Sequence, residues 1–261
     1  MSPEGFAAGV AVGCVGGFTS GLLGVSPGGG LVVFSVLLLG AEQHVAQGVS
    51  LVAQVFPTSL AGVGRYWTAG HRAPLRWLMA LGVAFVVGGA AGAEAAAITS
   101  RVLLQWTYVA YLIGLGALVI AQPPHAVARD DKAPAAAPSL SDAPLAAVGA
   151  LAGFSSGFLG IGGGLATTVG LSAWLKVPQR QAQMISLALL TLPLTIPAAV
   201  VYWREGRVAS WPVLVGVVLG LVAGTDIGAR LANRVADRAL HRLLLGFVLL
   251  MTVYMAREAL R

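Results

Sequence analysis

The stretch that decides the fold is Gly13-Cys-Val-Gly-Gly-Phe-Thr-Ser-Gly-Leu-Leu-Gly-Val25, because a second copy of it follows later in the chain. The copy is Gly149-Ala-Leu-Ala-Gly-Phe-Ser-Ser-Gly-Phe-Leu-Gly-Ile161, and seven of the thirteen aligned positions are identical at an offset of 136 residues. The same offset pairs shorter blocks downstream: Ala46–Leu51 with Ala182–Leu187, Pro57 with Pro193, and Tyr66-Trp67 with Tyr202-Trp203. Several separate blocks that share one offset predict an internal duplication.

The composition excludes most water-soluble classes of protein. Hydrophobic residues make up 57% of the 261 residues and charged residues only 10%, whereas soluble domains carry roughly 25% charged residues. A soluble enzyme, a disordered chain and a water-facing nucleic-acid binder are therefore excluded, and no nucleic-acid partner is expected. The sequence predicts an all-α integral membrane protein in the lipid bilayer. Cys14 is the single cysteine, so an intramolecular disulfide or a zinc site is excluded, and we expect no cofactor.

Each half contains five apolar segments, and the second segment of each half is short. A segment of about a dozen residues rises 1.5 Å per residue and cannot cross a hydrocarbon core of about 30 Å. We expect it to be a half-helix that forms a hairpin with the preceding segment, re-entrant or short, beside three transmembrane helices. The segments lie near 5–25, 29–41, 45–64, 74–98 and 102–121, and near 144–161, 164–175, 182–203, 210–229 and 238–256.

An odd number of segments per half sets the relation between the halves. The second half must enter the membrane upside down relative to the first, which predicts two inverted-topology repeats, as in many secondary transporters. The predicted units are a first repeat over 1–121, a linker over 122–143 rich in Pro, Ala and Asp, and a second repeat over 144–261.

The distribution of Lys and Arg predicts the orientation. Eleven of these residues fall on one side and five on the other, and the richer side is expected to be cytoplasmic. Both termini are then periplasmic and the linker is cytoplasmic. The eleven are Arg65, Arg72, Arg76, Arg129, Lys132, Lys176, Arg180, Arg230, Arg234, Arg238 and Arg242, and the five are Arg101, Arg204, Arg207, Arg257 and Arg261.

Two glycine-rich breaks are the strongest candidates for a binding site. They are Gly24-Val-Ser-Pro-Gly-Gly-Gly30 and Gly160-Ile-Gly-Gly-Gly164. A half-helix that starts at such a break presents free backbone N–H groups and the positive end of its dipole, which together favour an anion. The predicted backbone donors are Gly28, Gly29, Gly30, Gly162, Gly163 and Gly164. Close helix packing through small residues is the alternative interpretation.

Hydroxyl and amide side chains surround these breaks. Ser20, Ser26, Ser156, Thr167 and Thr168 either donate to a bound oxyanion or bond to their own helix backbone. A second set, with spacings of 3, 4 and 4, lies on one face of the third segment, and a polar stripe in an apolar helix faces a cavity or a neighbouring helix. That set is Gln47, Ser50, Gln54 and Thr58, and Gln183 and Ser186 repeat its first two members.

Few ionisable residues lie within the segments. Glu94 and Asp226 are candidates for coupling transport to a proton or sodium gradient, although Asp226 also has the spacing for an ordinary salt bridge with Arg230. Gly153-Phe-Ser-Ser-Gly157 satisfies the G-x-S-x-G pattern of a hydrolase nucleophile, but that pattern requires a strand–turn–helix context and a histidine partner. A membrane helix offers neither, and the sequence does not predict an enzyme.

The duplicated motifs resemble those of the sulfite exporter TauE/SafE family, also called TSUP. The resemblance rests on Phe18–Val25 followed by Gly28–Gly30, on Phe154–Gly164, and on the blocks Ala46–Leu51 and Ala182–Leu187. It implies transport of sulfite or organosulfonates such as sulfoacetate across a bacterial inner membrane. Two features depart from the family pattern: Ser35 and Val169 stand where a proline is common, and Ser26-Pro27 is inserted before the first glycine triplet.

The sequence therefore predicts a secondary transporter that binds a small sulfur-containing anion at the midplane and works by alternating access. Two other functions stay open, a membrane assembly or sensor subunit that binds an anion without moving it, and a transporter of a small carboxylate. A homodimer is a further possible partner state.

Overall fold

The computed structural model describes residues 3–23, 26–57, 63, 72–121, 140–232 and 237–260. Over these residues every regular element is a helix, which confirms the predicted all-α class. The elements are α1 (Pro3–Leu23), α2 (Pro27–Leu39), α3 (Gln43–Ala53), α4 (Leu75–Ile98), α5 (Arg101–Ala121), α6 (Asp142–Leu159), α7 (Gly164–Val169), α8 (Gln179–Thr191), α9 (Ile196–Arg204), α10 (Trp211–Ala232) and α11 (Asp237–Ala259).

Four of these helices are long and apolar enough to cross a membrane. Their qualifying stretches are Glu4–Leu22, Leu75–Ile98, Asp142–Leu159 and Trp211–Gly228. The pair α8 and α9 forms a fifth candidate span, bent by 47° at the break between them. The chain is therefore a multi-pass membrane protein, as its composition predicts.

The second segment of each half is short, as predicted. Helix α2 has 13 residues, so it is about 20 Å long. Helix α7 has 6 residues and continues into a π-helical turn at Gly170–Trp174. Neither reaches across a core of about 30 Å.

The third segment of the second half differs from the expected continuous span over 182–203. It is divided into α8 and α9 because Pro193 lacks the N–H that a helix needs and disfavours helical geometry in the residue before it. Leu192 accordingly has extended angles of φ −82° and ψ 144°. In the first half α3 ends at Ala53, and Thr58 and most of the residues up to 71 lie outside the described part.

Two helix pairs pack at backbone contact through glycine. A Cβ atom on Gly13 of α1 would lie 2.1 Å from the carbonyl oxygen of Val217 in α10, and one on Gly149 of α6 would lie 2.3 Å from that of Leu81 in α4. One turn later Gly17 meets Leu221 and Gly153 meets Phe85 in the same way. Residue numbers rise together along both members of each pair, so the helices of each pair run parallel.

These pairs exchange helices between the two halves of the chain. Helices α1 and α4 belong to the first half, and their partners α10 and α6 belong to the second. The contact of Gly149 with Leu81 is that of Gly13 with Val217 moved by 136 residues and swapped between halves, which supports the duplication. The predicted topology requires both pairs to be parallel, and the insertion of the halves in opposite directions stays a prediction.

Ion pairs tie helix ends together at two places. Arg76 at the start of α4 bonds with both carboxylate oxygens of Asp142 at the start of α6, at 2.8 and 3.1 Å. Arg101 at the start of α5 lies 3.7 Å from Glu258 at the end of α11. The first pair falls on the predicted cytoplasmic side and the second on the periplasmic side. Linker residues 122–139 and Arg65, Arg129, Lys132 and Arg234 lie outside the described part.

Candidate functional site

The second glycine break takes a backbone path that side chains other than glycine strongly disfavour. Gly160, Gly162 and Gly163 have φ values of 72°, 80° and 66°, in the left-handed region that costs other residues roughly 1–2 kcal/mol. Gly160 ends α6 by donating its N–H to the carbonyl oxygen of Ser156 at 2.7 Å. Gly163 precedes the first residue of α7. Here the glycines are needed for the turn itself, beyond any role in packing.

The first break is built differently. Ser26 is extended, with φ −56° and ψ 136°, and Pro27 occupies the first position of α2, where its missing N–H removes no helical hydrogen bond. Gly24 and Val25 lie outside the described part. The inserted Ser26-Pro27 therefore replaces, in the first half, the left-handed turn that Gly162 and Gly163 make in the second.

The two breaks are in direct contact. A Cβ atom on Gly28 would lie 2.4 Å from the carbonyl carbon of Ile161. The hydroxyl of Ser26 donates to the carbonyl oxygen of Ile161 at 2.9 Å, and a Cβ atom on Gly164 would lie 3.3 Å from that of Ser26. The structure thus brings together the starts of α2 and α7, which come from different halves.

One serine in each half ties the third segment to its own glycine helix. Ser50 donates to the carbonyl oxygen of Gly160 at 2.6 Å and lies 3.3 Å from that of Gly28. Ser186 donates to the carbonyl oxygen of Gly164 at 2.7 Å. The pairs Ser50–Gly28 and Ser186–Gly164 are separated by the same 136 residues. Both hydroxyl protons are used on the backbone in this conformation.

Other candidate hydroxyls bond to their own helices, as the alternative interpretation expects. Thr167 donates to the carbonyl oxygen of Gly163 at 2.9 Å, and Thr168 to that of Gly164 at 3.0 Å. Ser20 is buried. These side chains rigidify the breaks in this conformation.

Two buried side chains beside the second break retain unpaired polar atoms. Gln47 is fully buried, and its Oε1 accepts a hydrogen bond of 2.9 Å from Tyr202, yet its Nε2 has no partner among the described residues. The hydroxyl of Ser156 is likewise buried and unpaired. A Cβ atom on Gly160 would lie 2.9 Å from the Cα of Gln47, so this amide adjoins the break. Gln183, its counterpart, is half-buried.

A small cavity lies on the α8–α9 side of the contact. It leaves about 10 Å³ for the centre of a water molecule, which is room for roughly one water. Thr195 is 4% exposed, and its hydroxyl has no partner among the described residues. The lining combines polar Gln54, Thr167, Ser186 and Thr195 with Phe85, Leu189, Leu190, Leu192 and Leu194.

The two ionisable candidates are not part of this contact. Glu94 is exposed on α4. Asp226 is exposed on α10 and forms the expected salt bridge with Arg230 at 2.7 Å. Within the described residues no group of three or more potential metal ligands occurs. The groups that meet at the breaks are polar and uncharged, which suits an anion held by N–H and O–H donors.

Four residues that meet the site are missing from the predicted set. Tyr108 donates to the carbonyl oxygen of Gly29 at 2.7 Å, Tyr202 contacts Gln47, and Gln54 and Thr195 line the cavity. Tyr202 belongs to a duplicated Tyr-Trp pair, and Gln54 lies on the polar face of α3, so both carried a signal. Tyr108 and Thr195 reach the site only through the fold.

Comparison with known proteins places the chain in a family. A search of curated proteins and a search of solved structures each find no match. A family model described as Sulfite exporter TauE/SafE matches residues 9–255, which is nearly the whole chain and includes both glycine breaks. The chain therefore belongs to the sulfite exporter TauE/SafE family.

Proposed function

We propose that this protein is a secondary transporter that moves sulfite or an organosulfonate such as sulfoacetate across the bacterial inner membrane by alternating access. Membership of a family of sulfur-anion exporters supports the substrate class. The observation that carries the proposal is the contact between the two glycine breaks, with Ser26 bonded to Ile161 at 2.9 Å. It joins the starts of two half-helices where their free N–H groups face one region.

The proposed site binds the anion at the membrane midplane without a charged side chain. The first N–H groups of α2 and α7, on Gly28–Gly30 and Gly162–Gly164, have no helical partner and lie at the positive ends of their helices. They would hold the oxygens of the anion. The side chains proposed to orient it are Ser20, Ser26, Gln47, Ser50, Ser156, Gln183 and Ser186. Binding without full charge pairing also favours release, which a transporter needs.

Alternating access is proposed to come from rocking of two inverted halves around this site. The parallel pairs α1–α10 and α4–α6 are packed at backbone contact, so each pair is expected to move as one rigid unit. Both termini are proposed to be periplasmic, and coupling to a proton or sodium gradient and a homodimer complete the proposal. Asp226 and Glu94 are the coupling candidates.

Flux measurements on the purified chain in liposomes test the function. We expect uptake of labelled sulfite or sulfoacetate that depends on an imposed proton or sodium gradient. Specific ligands should also raise the unfolding temperature in proportion to the logarithm of ligand concentration over Kd. Binding without flux under any gradient would identify an anion-binding assembly or sensor subunit instead. Preference for acetate or another simple carboxylate would overturn the sulfur-anion assignment.

Neighbouring serines on α6 provide a matched pair of variants. Ser156 is buried with an unpaired hydroxyl, so Ser156→Ala should leave stability unchanged but weaken sulfite binding by roughly five- to tenfold, the value of one hydrogen bond. Ser155 bonds to the carbonyl oxygen of Leu151 in its own helix, and Ser155→Ala should leave binding and flux unchanged. Equal effects of the two substitutions would contradict the proposed site.

A further inference from the structure

A polar face runs along α3 from the surface of the protein to the glycine breaks. Gln43, Gln47, Ser50 and Gln54 follow one another at spacings of 4, 3 and 4, which places them on one side of the helix. All four are buried, with exposed fractions of 1%, 0%, 0% and 5%. Such a stripe is costly inside an apolar protein unless it has polar partners.

The partners are present at one end of this stripe and missing at the other. Near the breaks, Ser50 donates to the carbonyl oxygen of Gly160 at 2.6 Å, and Gln54 donates to the Ser50 hydroxyl at 2.9 Å. At the other end, both the Nε2 and the Oε1 of Gln43 lack a partner, as does the Nε2 of Gln47. A buried, unpaired carboxamide costs roughly 1–3 kcal/mol by mutational measures, so these groups need a partner in another conformation.

The unpaired end of the stripe begins at the surface. Gln43 is the first residue of α3 and follows Glu42, which is exposed. From Gln43 the stripe extends over the 11 residues of α3, or about 16 Å, to the place where Gln47 adjoins Gly160. It therefore joins the outside of the protein to the contact between the breaks.

The second half repeats the pattern. Gln179, Gln183 and Ser186 stand 136 residues after Gln43, Gln47 and Ser50. Gln183 is half-buried, whereas Gln47 is fully buried, so the two stripes differ in exposure. In an inverted arrangement they would lead to the centre from opposite faces of the membrane.

We infer that the carboxamides of Gln43 and Gln47 line the path by which the anion enters the site from one membrane face. The inference rests on the proposed function and extends it to the route of access. Carboxamide N–H groups bind sulfite or sulfonate oxygens without a charge that would trap the ion, and the stripe carries no acidic side chain to repel it. The path is closed in this structure and opens when the two halves rock apart.

Thiol labelling tests this path without relying on flux. In a Cys14→Ala background, Gln43→Cys and Gln47→Cys are treated with sulfonatoethyl methanethiosulfonate, a small anionic reagent, in membrane vesicles. Both thiols should react, and methanesulfonate should slow the reaction. Val49→Cys is the control, because Val49 lies on the same helix, is fully buried and belongs to the apolar core.

Each result has a defined meaning. Reaction of Gln43→Cys and Gln47→Cys no faster than that of Val49→Cys would overturn the inference. Labelling that methanesulfonate does not slow would indicate a path for water only and would overturn the assignment to the anion. If labelling and protection occur while the unmodified chain shows no anion flux, the path stands and the transport function fails.

A functional variant gives an independent test. Gln43→Leu removes the two unpaired polar atoms and keeps the side-chain volume, so folding should be unimpaired. Uptake of sulfoacetate should fall by about tenfold, equivalent to about 1.4 kcal/mol of barrier, while the ligand-induced rise in unfolding temperature persists. Uptake unchanged in Gln43→Leu would contradict the proposed route.

Discussion

The Ser26 hydroxyl donates a hydrogen bond of 2.9 Å to the carbonyl oxygen of Ile161, so a residue inserted in the first glycine break closes directly on the second. The two residues are separated by 135 positions in the chain. Gly162 occupies the position equivalent to Ser26 in the second half, 136 residues later, and has no hydroxyl to return the bond. The contact is therefore asymmetric, although the helices around it are duplicated.

The Ser26–Ile161 bond should contribute measurably to the stability of the contact. Ser26→Ala is expected to lower the free energy of unfolding in detergent by about 1 kcal/mol, the net value of one hydrogen bond. Ser172→Ala is the control, because Ser172 bonds to the carbonyl oxygen of Thr168 in its own helical turn. Loss of stability in Ser26→Ala no larger than in Ser172→Ala would show that the bond is dispensable.

The left-handed turn of the second break should not tolerate a side chain. Gly162 has φ +80°, and a Cβ atom there would lie 1.8 Å from the Oε1 of Gln54. Gly162→Ala should lower stability by about 2 kcal/mol or more, since strain of roughly 1–2 kcal/mol adds to the clash. Thermal unfolding in detergent measures this change.

Gly246 in α11 is the matched control for that substitution. A Cβ atom there meets nothing within 4 Å, so Gly246→Ala should stabilise the helix by up to about 1 kcal/mol. A Gly162→Ala protein as stable as the unmodified chain would mean that the turn is not required.

The unpaired hydroxyl of Thr195 should matter for ligand binding and not for folding. Thr195→Val keeps the shape of the side chain and removes a buried polar atom without a partner, so stability should stay equal or rise slightly. Sulfite binding should weaken by about fivefold if this hydroxyl donates to the anion. Thr252→Val is the control, because Thr252 bonds to Val248 in its own helix, and titration of the unfolding temperature compares the two.

The ion pairs at the helix ends predict which side of the membrane each end occupies. In a Cys14→Ala background, Arg76→Cys should react with an impermeant maleimide only from the cytoplasmic side, since Arg76 belongs to the Lys- and Arg-rich face. Glu258→Cys, at the other end, should react only from the periplasmic side. Labelling of both from one side would contradict the inverted arrangement of the halves.

Several features of the fold are predictable because they depend on local chemistry. The apolar segments predict the long helices, since lipid leaves the backbone no partner but itself. The short second segments follow from length alone, and the 136-residue offset predicts that contacts recur in pairs. Pro193 signals a disturbance of the third segment, but the full break between α8 and α9 is larger than a kink.

The site is only partly predictable, since a pattern of donors does not say which atoms remain free. Ser50, Ser186 and Thr167 were reasonable ligand candidates, yet their protons are used on carbonyl oxygens. Gln47 and Ser156 keep unpaired atoms, which the sequence pattern does not distinguish from the others. Thr195 had no signal, because only the bend between α8 and α9 directs it to the cavity.

By itself, the sequence determined the helical membrane class, the duplication, the two glycine breaks and the family resemblance, because each depends on residue type and spacing along the chain. Only the tertiary structure decided that the helix pairs α1–α10 and α4–α6 cross between halves, that Ser26 meets Ile161, and that the amides of Gln43 and Gln47 are buried without partners. The physical reason is that glycine permits backbone contact between any two helices, and only the packing of the whole chain selects which helices meet and which polar atoms they leave unpaired.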